Sequence, residues 1–223
     1  AKAGFGALAA AVSVHSDIVA PYLLHLGSEE QKHRMLPKMV TGEVVGAIAM
    51  TEPGAGSDLQ GISTSAIRDG DDYIINGAKT FITNRQHCDL VIVAAKTEPG
   101  AGARGITLFT VDCNSVGFER GRNLEKLGLS SGDTSEMVFG GVRVPMTELL
   151  GGEGKGFVNL MNELPRERLV LGVGCVGAAD GVLEQTLAYV TDRKAFGKSL
   201  SRFQNTRFEL ADVKTKIELS RAL

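Results

Sequence analysis

Three cysteines are all the sequence contains, Cys88, Cys113 and Cys175, and none shares a metal-ligand spacing with another. An odd, scattered set fits a reducing compartment, with each thiol read as a small buried hydrophobe rather than a functional thiol. Charge of one sign is also lacking: 24 basic and 26 acidic residues are interspersed, for a net −2. No basic stripe marks a nucleic-acid surface, and no acidic tail marks disorder. Uninterrupted apolar sequence is short everywhere, well below the ~18 residues of a membrane span. The richest stretch, Ala7 to Val14, has no basic region or cleavage site of the secretory kind. The four histidines, His15, His25, His33 and His87, have no acid or serine at nucleophilic spacing and read as structural.

Glycine is plentiful, at 28 residues, and the hydrophobic pattern changes period twice. Residues 1–45 read as helical. Gly27 ends one helix, and Ser28 with Gln31 forms a capping box for the next, whose apolar face carries Met35, Leu36 and Met39. From 45 to 148 come short β-branched or alternating runs: Val44–Met50, Tyr73–Ile75, Lys79–Thr83, Leu90–Ala94, Ile106–Val111 and Met137–Val144. Asn76-Gly77 reads as a hairpin turn between two of them. The whole predicts an antiparallel barrel or sandwich. The helical period returns at Gly156. Leu183, Leu187 and Val190 mark one face; Phe203, Leu210, Val213 and Ile217 mark another; Pro165 is expected to kink a helix or start one. The predicted class is α+β, an antiparallel β-domain between two helical segments, with divisions at 1–45, 46–150 and 151–223. The chain starts without methionine and stops in unfinished helical periodicity, so it reads as a fragment truncated at both ends.

Three strings stand out. Ile48-Ala49-Met50-Thr51-Glu52-Pro53-Gly54-Ala55-Gly56-Ser57-Asp58 is an apolar run ending in a polar, glycine-bearing loop, where backbone N–H groups can approach a flat or anionic ligand. It does not fit the dinucleotide fingerprint, which needs glycine at Leu59. Its letters alone decide little, because Thr97-Glu98-Pro99-Gly100-Ala101-Gly102 repeats them before Ala103-Arg104 and reads as a turn. The second string is Phe81-Ile82-Thr83-Asn84. The third is Arg193-Lys194-Ala195-Phe196-Gly197 with Phe203-Gln204, which in isolation reads as a basic helix end followed by a turn.

In this order, the three strings resemble the acyl-CoA dehydrogenase family of flavoproteins, over about His15 to the last residue. Ser57-Asp58-Leu59-Gln60-Gly61-Ile62 and Asn162-Glu163-Leu164-Pro165 are most similar to the long-chain subgroup. The resemblance implies a β-domain between two helical bundles, an FAD cofactor and α,β-dehydrogenation of a fatty acyl-CoA to a trans-2-enoyl-CoA. It implies flavin contacts at Met50, Thr51, Gly56, Ser57, Phe81, Ile82 and Thr83. Phe81 stands where many members have tryptophan, a residue this sequence lacks. Arg193, Phe196 and Gln204 match residues that hold the FAD diphosphate and adenosine across a subunit boundary, and a planar guanidinium suits phosphate. Ser57, Thr97, Val158 and Arg168 are the implied substrate contacts. The implied partners are electron-transfer flavoprotein and further copies of the chain, as a dimer of dimers. The compartment would be the cytoplasm in a bacterium or the mitochondrial matrix in a eukaryote. Acyl-CoA oxidases, flavin monooxygenases and noncatalytic relatives share the same fold and remain alternatives.

Dehydrogenation of an acyl thioester requires a carboxylate to remove an α-proton. Most of the family carries that glutamate in a carboxy-terminal segment absent here. The long-chain and isovaleryl subgroups use one after the β-domain, in a Glu-Arg-Leu context. Glu163-Leu164-Pro165-Arg166-Glu167-Arg168-Leu169 occupies that place, so Glu167 is the candidate base. Glu163, four residues earlier on the same helix face, is its like-charge neighbour or its rival. Composition alone would make Glu167 a solvated helix carboxylate.

Overall fold

Residues 6–223 are described by a computed structural model, and they divide into two compact units, Ala10–Glu167 and a second built around Arg168–Leu223. The first is organised around one strand with no polar side chain before its last residue. Leu-Val-Ile-Val-Ala-Ala can lie only where both faces of a sheet are covered, and β4 (Leu90–Lys96) is buried from Leu90 to Ala95. Val91, Val93 and Ala95 enter a core with Tyr73, Ile75, Phe109, Met137, Phe139 and Val144. Leu90, Ile92 and Ala94 face a second core made with helical residues Val19, Tyr22, Leu23, Met35, Met39 and Leu160.

The sheet has eight strands. To β4 are added β1 (Gly46–Ala49), β2 (Ser65–Asp69), β3 (Asp72–Thr83), β5 (Ile106–Asp112), β6 (Phe118–Asn123), β7 (Thr134–Pro145) and β8 (Leu149–Leu150). The order is β6-β7-β3-β2-β4-β5-β8, with β1 also paired to β4. The pairings are antiparallel as expected, except two. β1 runs parallel to β4 from Gly46↔Leu90 to Ala49↔Val93, and β2 meets β4 in parallel at Ser65↔Lys96. β1 and β2 therefore serve as two pieces of one neighbour to β4, and the chain leaves the sheet between them. That excursion, Met50 to Thr64, contains the first candidate loop.

The Asn76-Gly77 hairpin is corrected. Both residues lie inside β3, and the β2–β3 turn is at Gly70, where Asp69 pairs with Asp72. Asn76-Gly77 instead marks a register shift against β7, with Asn76 Oδ1 accepting the Gly141 amide at 2.8 Å. Gly77 is required there by a close approach: a Cβ on it would lie 2.7 Å from Thr64 Cα.

Helix α1 (Gly6–Leu26) is continuous, with a π-helical stretch at Val14–Val19. At 21 residues and mean hydropathy 1.5 it is long and apolar enough, by composition, to cross a membrane, where the sequence suggested nothing near that length. Only part of its apolar surface is packed: Val19, Tyr22 and Leu23 are fully buried in the second core, while Leu8, Val12 and Leu24 are exposed. His15 ties the same helix to its neighbours, with Nε2 toward Met39 O and Nδ1 accepting from Gly46 N, both at 3.0 Å. Helix α2 (Glu29–Thr41) opens on the expected capping box: Ser28 Oγ accepts from Gln31 N, and Gln31 Oε1 from Ser28 N.

Helix α3 (Gly156–Asp192) runs through Pro165 without a break or a new start, so the proline removes one helical hydrogen bond and does not end the element. In the second unit, α3 continues to a short hairpin of β9 (Lys194–Ala195) and β10 (Lys198–Ser199), then α4 (Gln204–Ala222). Leu183, Val190 and Ile217 are buried there, but Leu187 and Val213 are exposed. Asp180 of α3 receives Lys214 at 3.7 Å and Arg221 at 3.3 Å from α4.

Candidate functional site

The loop leaving β1 is shaped by one carboxylate. Glu52 and Ala55 exchange backbone hydrogen bonds at 2.9 and 3.1 Å, a tight turn that carries the glutamate inward to 4% exposure. Its Oε2 accepts from Ser63 N and Ser63 Oγ at 2.6 and 2.7 Å, and Oε1 from Thr64 N at 3.0 Å. Lys79 of β3, wholly buried, reaches Oε1 at 2.8 Å and Met50 O at 3.1 Å. Thr80 N donates to Thr51 O at 2.9 Å. Both ends of the excursion are thus fastened to β3. Burial raises the Glu52 carboxyl, but the Lys79 ammonium and the Thr64 and Ser63 donors outweigh it and hold it at about 2. Burial pushes Lys79 down to about 8, with Glu52 opposing.

The repeated hexapeptide shows how context decides. In the second copy Glu98 is exposed and Pro99–Gly105 turns as a 3-10 segment, with Gly102 at φ 58°. Thr97 is half-buried there, its hydroxyl 2.9 Å from that of Thr107.

Beyond Lys79 the strand bulges. Register with β7 shifts between Lys79 and Ile82, and Phe81 sits at φ 59° with 65% of its surface exposed. A left-handed backbone on a bulky residue is a strained arrangement, and it turns an aromatic face outward that an ordinary strand would alternate into the core. Ile82 returns to the core at 3% exposure, and Thr83, half-buried, pairs with Thr134. Asn84 is again left-handed, at φ 66°. Its amide donates to Asp133 Oδ1 at 3.1 Å and its Nδ2 to Ala11 O at 2.8 Å. The structure therefore brings Met50 and Thr51 against the strand that bears Phe81, Ile82 and Thr83. Gly56 and Ser57 lie exposed farther along the loop.

Glu167 is not a solvated helix carboxylate. It is 8% exposed, and Tyr22 of α1, fully buried, donates its hydroxyl to Glu167 Oε1 at 2.8 Å. Burial first, and then the adjacent Glu167 carboxylate, push the Tyr22 phenol far above its ordinary value, so it stays a hydrogen-bond donor. Glu163 is equally buried, with Oε1 2.7 Å from His25 Nδ1 and Oε2 3.5 Å from Arg166 Nε. The two glutamates both face α1, yet one meets a phenol and the other two basic groups. Val158, on the first turn of α3, is half-exposed.

The remaining candidates lie in the second unit. Arg168, Arg193 and Gln204 are exposed. Phe196 and Gly197 form the β9–β10 turn with φ of 51° and 75°, the pair of positive values of a type I′ hairpin. Phe196 is 94% exposed and meets Phe203 edge-on at 6.3 Å, and Lys198 Nζ lies 4.2 Å over the Phe203 ring. The sequence reading passed over Glu52, Lys79 and Tyr22. Lys79 had a signal: an ammonium that alternates in step with the apolar Tyr73 and Ile75 of a strand is either misplaced or paired.

Comparison with known proteins adds three family-model matches: the acyl-CoA dehydrogenase N-terminal domain over residues 1–43, the middle domain over 47–142 and the C-terminal domain over 154–223. A long-chain specific acyl-CoA dehydrogenase, mitochondrial, of Sus scrofa is 51% identical over 212 residues, covering 94% of this chain and 49% of its own. The caffeyl-CoA reductase-Etf complex subunit CarC of Acetobacterium woodii is 43% identical, covering 90% of this chain and 53% of its own. The crystal structure of an acyl-CoA dehydrogenase from Geobacillus kaustophilus superposes with TM-score 0.95 at 52% identity, over 99% of this chain and 58% of that one. The chain spans about half the length of the curated relatives it matches.

The Glu52 arrangement has an acid-side signature. A carboxyl held at about 2 in the folded protein and near 4.5 when unfolded contributes stability that is complete above pH 4.5 and is lost as pH falls toward 2. Acid titrations of the parent and Glu52→Gln, each followed by circular dichroism, should show a stability gap that narrows through that window. A gap independent of pH between 4.5 and 2 would contradict the assignment.

Proposed function

The chain belongs to the acyl-CoA dehydrogenase family, and from that premise we propose that the protein it comes from converts a fatty acyl-CoA, of the long-chain type, to its trans-2-enoyl-CoA. Glu167 is the base that removes the α-proton. The observation that carries this reading is its setting: a nearly buried carboxylate, held from one side by the Tyr22 hydroxyl, at the place where the resemblance expects a base. A carboxylate fixed in place by packing and a hydrogen bond needs no reorganisation before it takes a proton. Glu163, gripped by His25 and Arg166, is the structural member of the pair.

The residues of the first unit suit FAD. An outward aromatic held by a left-handed backbone, with Thr51 hydrogen-bonded to the preceding Thr80 and Thr83 two residues beyond, offers a flat ring a stacking face and polar edges. Phe81, Met50, Thr51, Gly56, Ser57, Ile82 and Thr83 would hold the ring; Arg193, Phe196 and Gln204 of one subunit would hold the diphosphate and adenosine of a neighbour's cofactor. FAD, when bound, supplies the two-electron acceptor. Ser57, Thr97, Val158 and Arg168 would contact the acyl-CoA. We assign electron-transfer flavoprotein as the electron acceptor, in line with the Etf partner named for CarC. We also infer a homotetramer, domain divisions near residues 45 and 150, and a compartment of cytoplasm or mitochondrial matrix according to the source.

Two measurements on the full-length protein test this. Glu167→Gln should slow flavin reduction by acyl-CoA ~10²–10⁴-fold, the usual worth of a general base, with FAD and substrate still bound. Glu163→Gln should lower stability yet keep the chemistry, and a parental rate in the Glu167 variant would move the base elsewhere. Arg193→Ala should weaken FAD retention by about 1.5–3 kcal/mol, the scale of a hydrogen bond to a charged group. A full-length monomer that retains FAD normally would refute the intersubunit role.

A further inference from the structure

The core beneath the turn that follows the Phe81–Thr83 bulge holds a group that the proposed dehydrogenation does not use. Cys88 ends that turn and Cys113 lies one residue past β5. Both are free and buried in the same core, with Sγ atoms 3.3 Å apart. Cys113 N donates to Asp89 O at 2.9 Å, and Cys88 N to Asn84 O at 2.7 Å, so the backbone holds the pair together. Arg85, whose carbonyl oxygen accepts from Cys88 Sγ at 3.4 Å, has no exposed surface, and its Nε, Nη1 and Nη2 have no hydrogen-bond partner. Arg120 enters from β6, with Nη2 on Cys88 O at 3.2 Å and Nη1 on Arg85 O at 3.5 Å. Asp133 and Asp112 are the carboxylates acting on the group.

We propose that Cys88 and Cys113 form an oxidisable dithiol, closed to a disulfide by peroxide and poised for it by the buried Arg85 guanidinium.

A buried thiol in apolar surroundings is inert, whereas one beside cationic groups is reactive as its thiolate. A buried guanidinium without a partner calls for an anion, and Cys88 can become one at this spot. The hydrogen bond from Cys113 holds the Cys88 thiol below its usual value against the opposing effect of burial, and Arg120 and Arg85 act in the same direction. Cys113 is pushed the opposite way by the same hydrogen bond and by burial, so it keeps its proton. The pair thus divides into nucleophile and proton-bearing partner. Cys88 sulfur attacks one peroxide oxygen: an S–O bond forms, the O–O bond breaks, sulfur is oxidised and the departing oxygen leaves as water. Cys113 sulfur then attacks Cys88 sulfur: the S–S bond forms, the S–O bond breaks, and the leaving hydroxide takes the Cys113 proton as a second water. Two thiols and one hydrogen peroxide give one disulfide and two waters. Peroxide is small enough to enter when the short Asn84–Asp89 turn opens locally.

The test treats full-length protein carrying Cys175→Ser with hydrogen peroxide, quenches, denatures and alkylates. Both remaining thiols of this chain's segment should be lost together, with a Cys88–Cys113 cross-linked peptide in the mass spectrum that dithiothreitol abolishes. In Cys113→Ser, Cys88 should stop at a sulfenic acid trapped by dimedone. Arg85→Met should slow closure about tenfold, equivalent to about one unit in thiol acidity, and Arg85→Lys should restore it. Full alkylation of both cysteines after treatment, or oxidation of Cys88 to sulfinic acid without a cross-link while Cys113 is present, would overturn the dithiol. Closure at the parental rate in Arg85→Met would overturn the role of the arginine.

Discussion

The buried Glu52–Lys79 pair is the interaction on which the candidate site depends. Taking both charges out of water is costly, and mutual attraction compensates only when the remaining donors and acceptors are satisfied. Here most are: two oxygens of Glu52 collect four contacts from Ser63, Thr64 and Lys79, and the ammonium also reaches Met50 O. Removing either partner would leave an uncompensated buried charge. The pair closes the excursion between β1 and β2 at both ends and fastens it to β3, just before the bulge.

That fastening explains how a strained residue can persist. Phe81 holds a left-handed backbone with most of its ring outside the core, which costs free energy and persists only where neighbouring structure fixes it. Lys79 and Thr80 anchor the chain on one side, and Ile82 in the core with Asn84 bound to Ala11 and Asp133 on the other. The carboxylate assigned as base follows the same logic. Tyr22 is immobile because α1 buries it against the sheet, and it hands that immobility to Glu167 across one hydrogen bond.

What the sequence revealed divides by the range of the forces involved. The capping box at Ser28 and Gln31 is local chemistry, and it forms as read. The apolar run of β4 was legible because few places in a fold accept it. Asn76-Gly77 misled because its glycine serves a tertiary approach by Thr64, which no neighbour in sequence announces. β2 and β6 were missed because Ser-Ala-Ile-Arg-Asp and Phe-Glu-Arg-Gly-Arg-Asn are mostly exposed and lack clean alternation, and of the two only β6 is an edge strand. The site shows the same division. Its three strings were visible through resemblance. The burial of Glu167 and the Glu52–Lys79 pair needed contacts 145 and 27 residues apart. The twin hexapeptides make the point most plainly: the same six letters bury one glutamate beside a lysine and leave the other in water.

The central claim is that this ion pair pins the polar loop to the strand beside it, and hydrogen exchange of the full-length protein reads that directly. In Lys79→Met, the amides of Ser63, Thr64 and Thr80 should exchange at least about a hundredfold faster than in the parent, equivalent to about 3 kcal/mol, the lower end of the cost of breaking a buried pair. Amides in the middle of β5 should keep their protection. Parental exchange at Ser63, Thr64 and Thr80 would contradict the account.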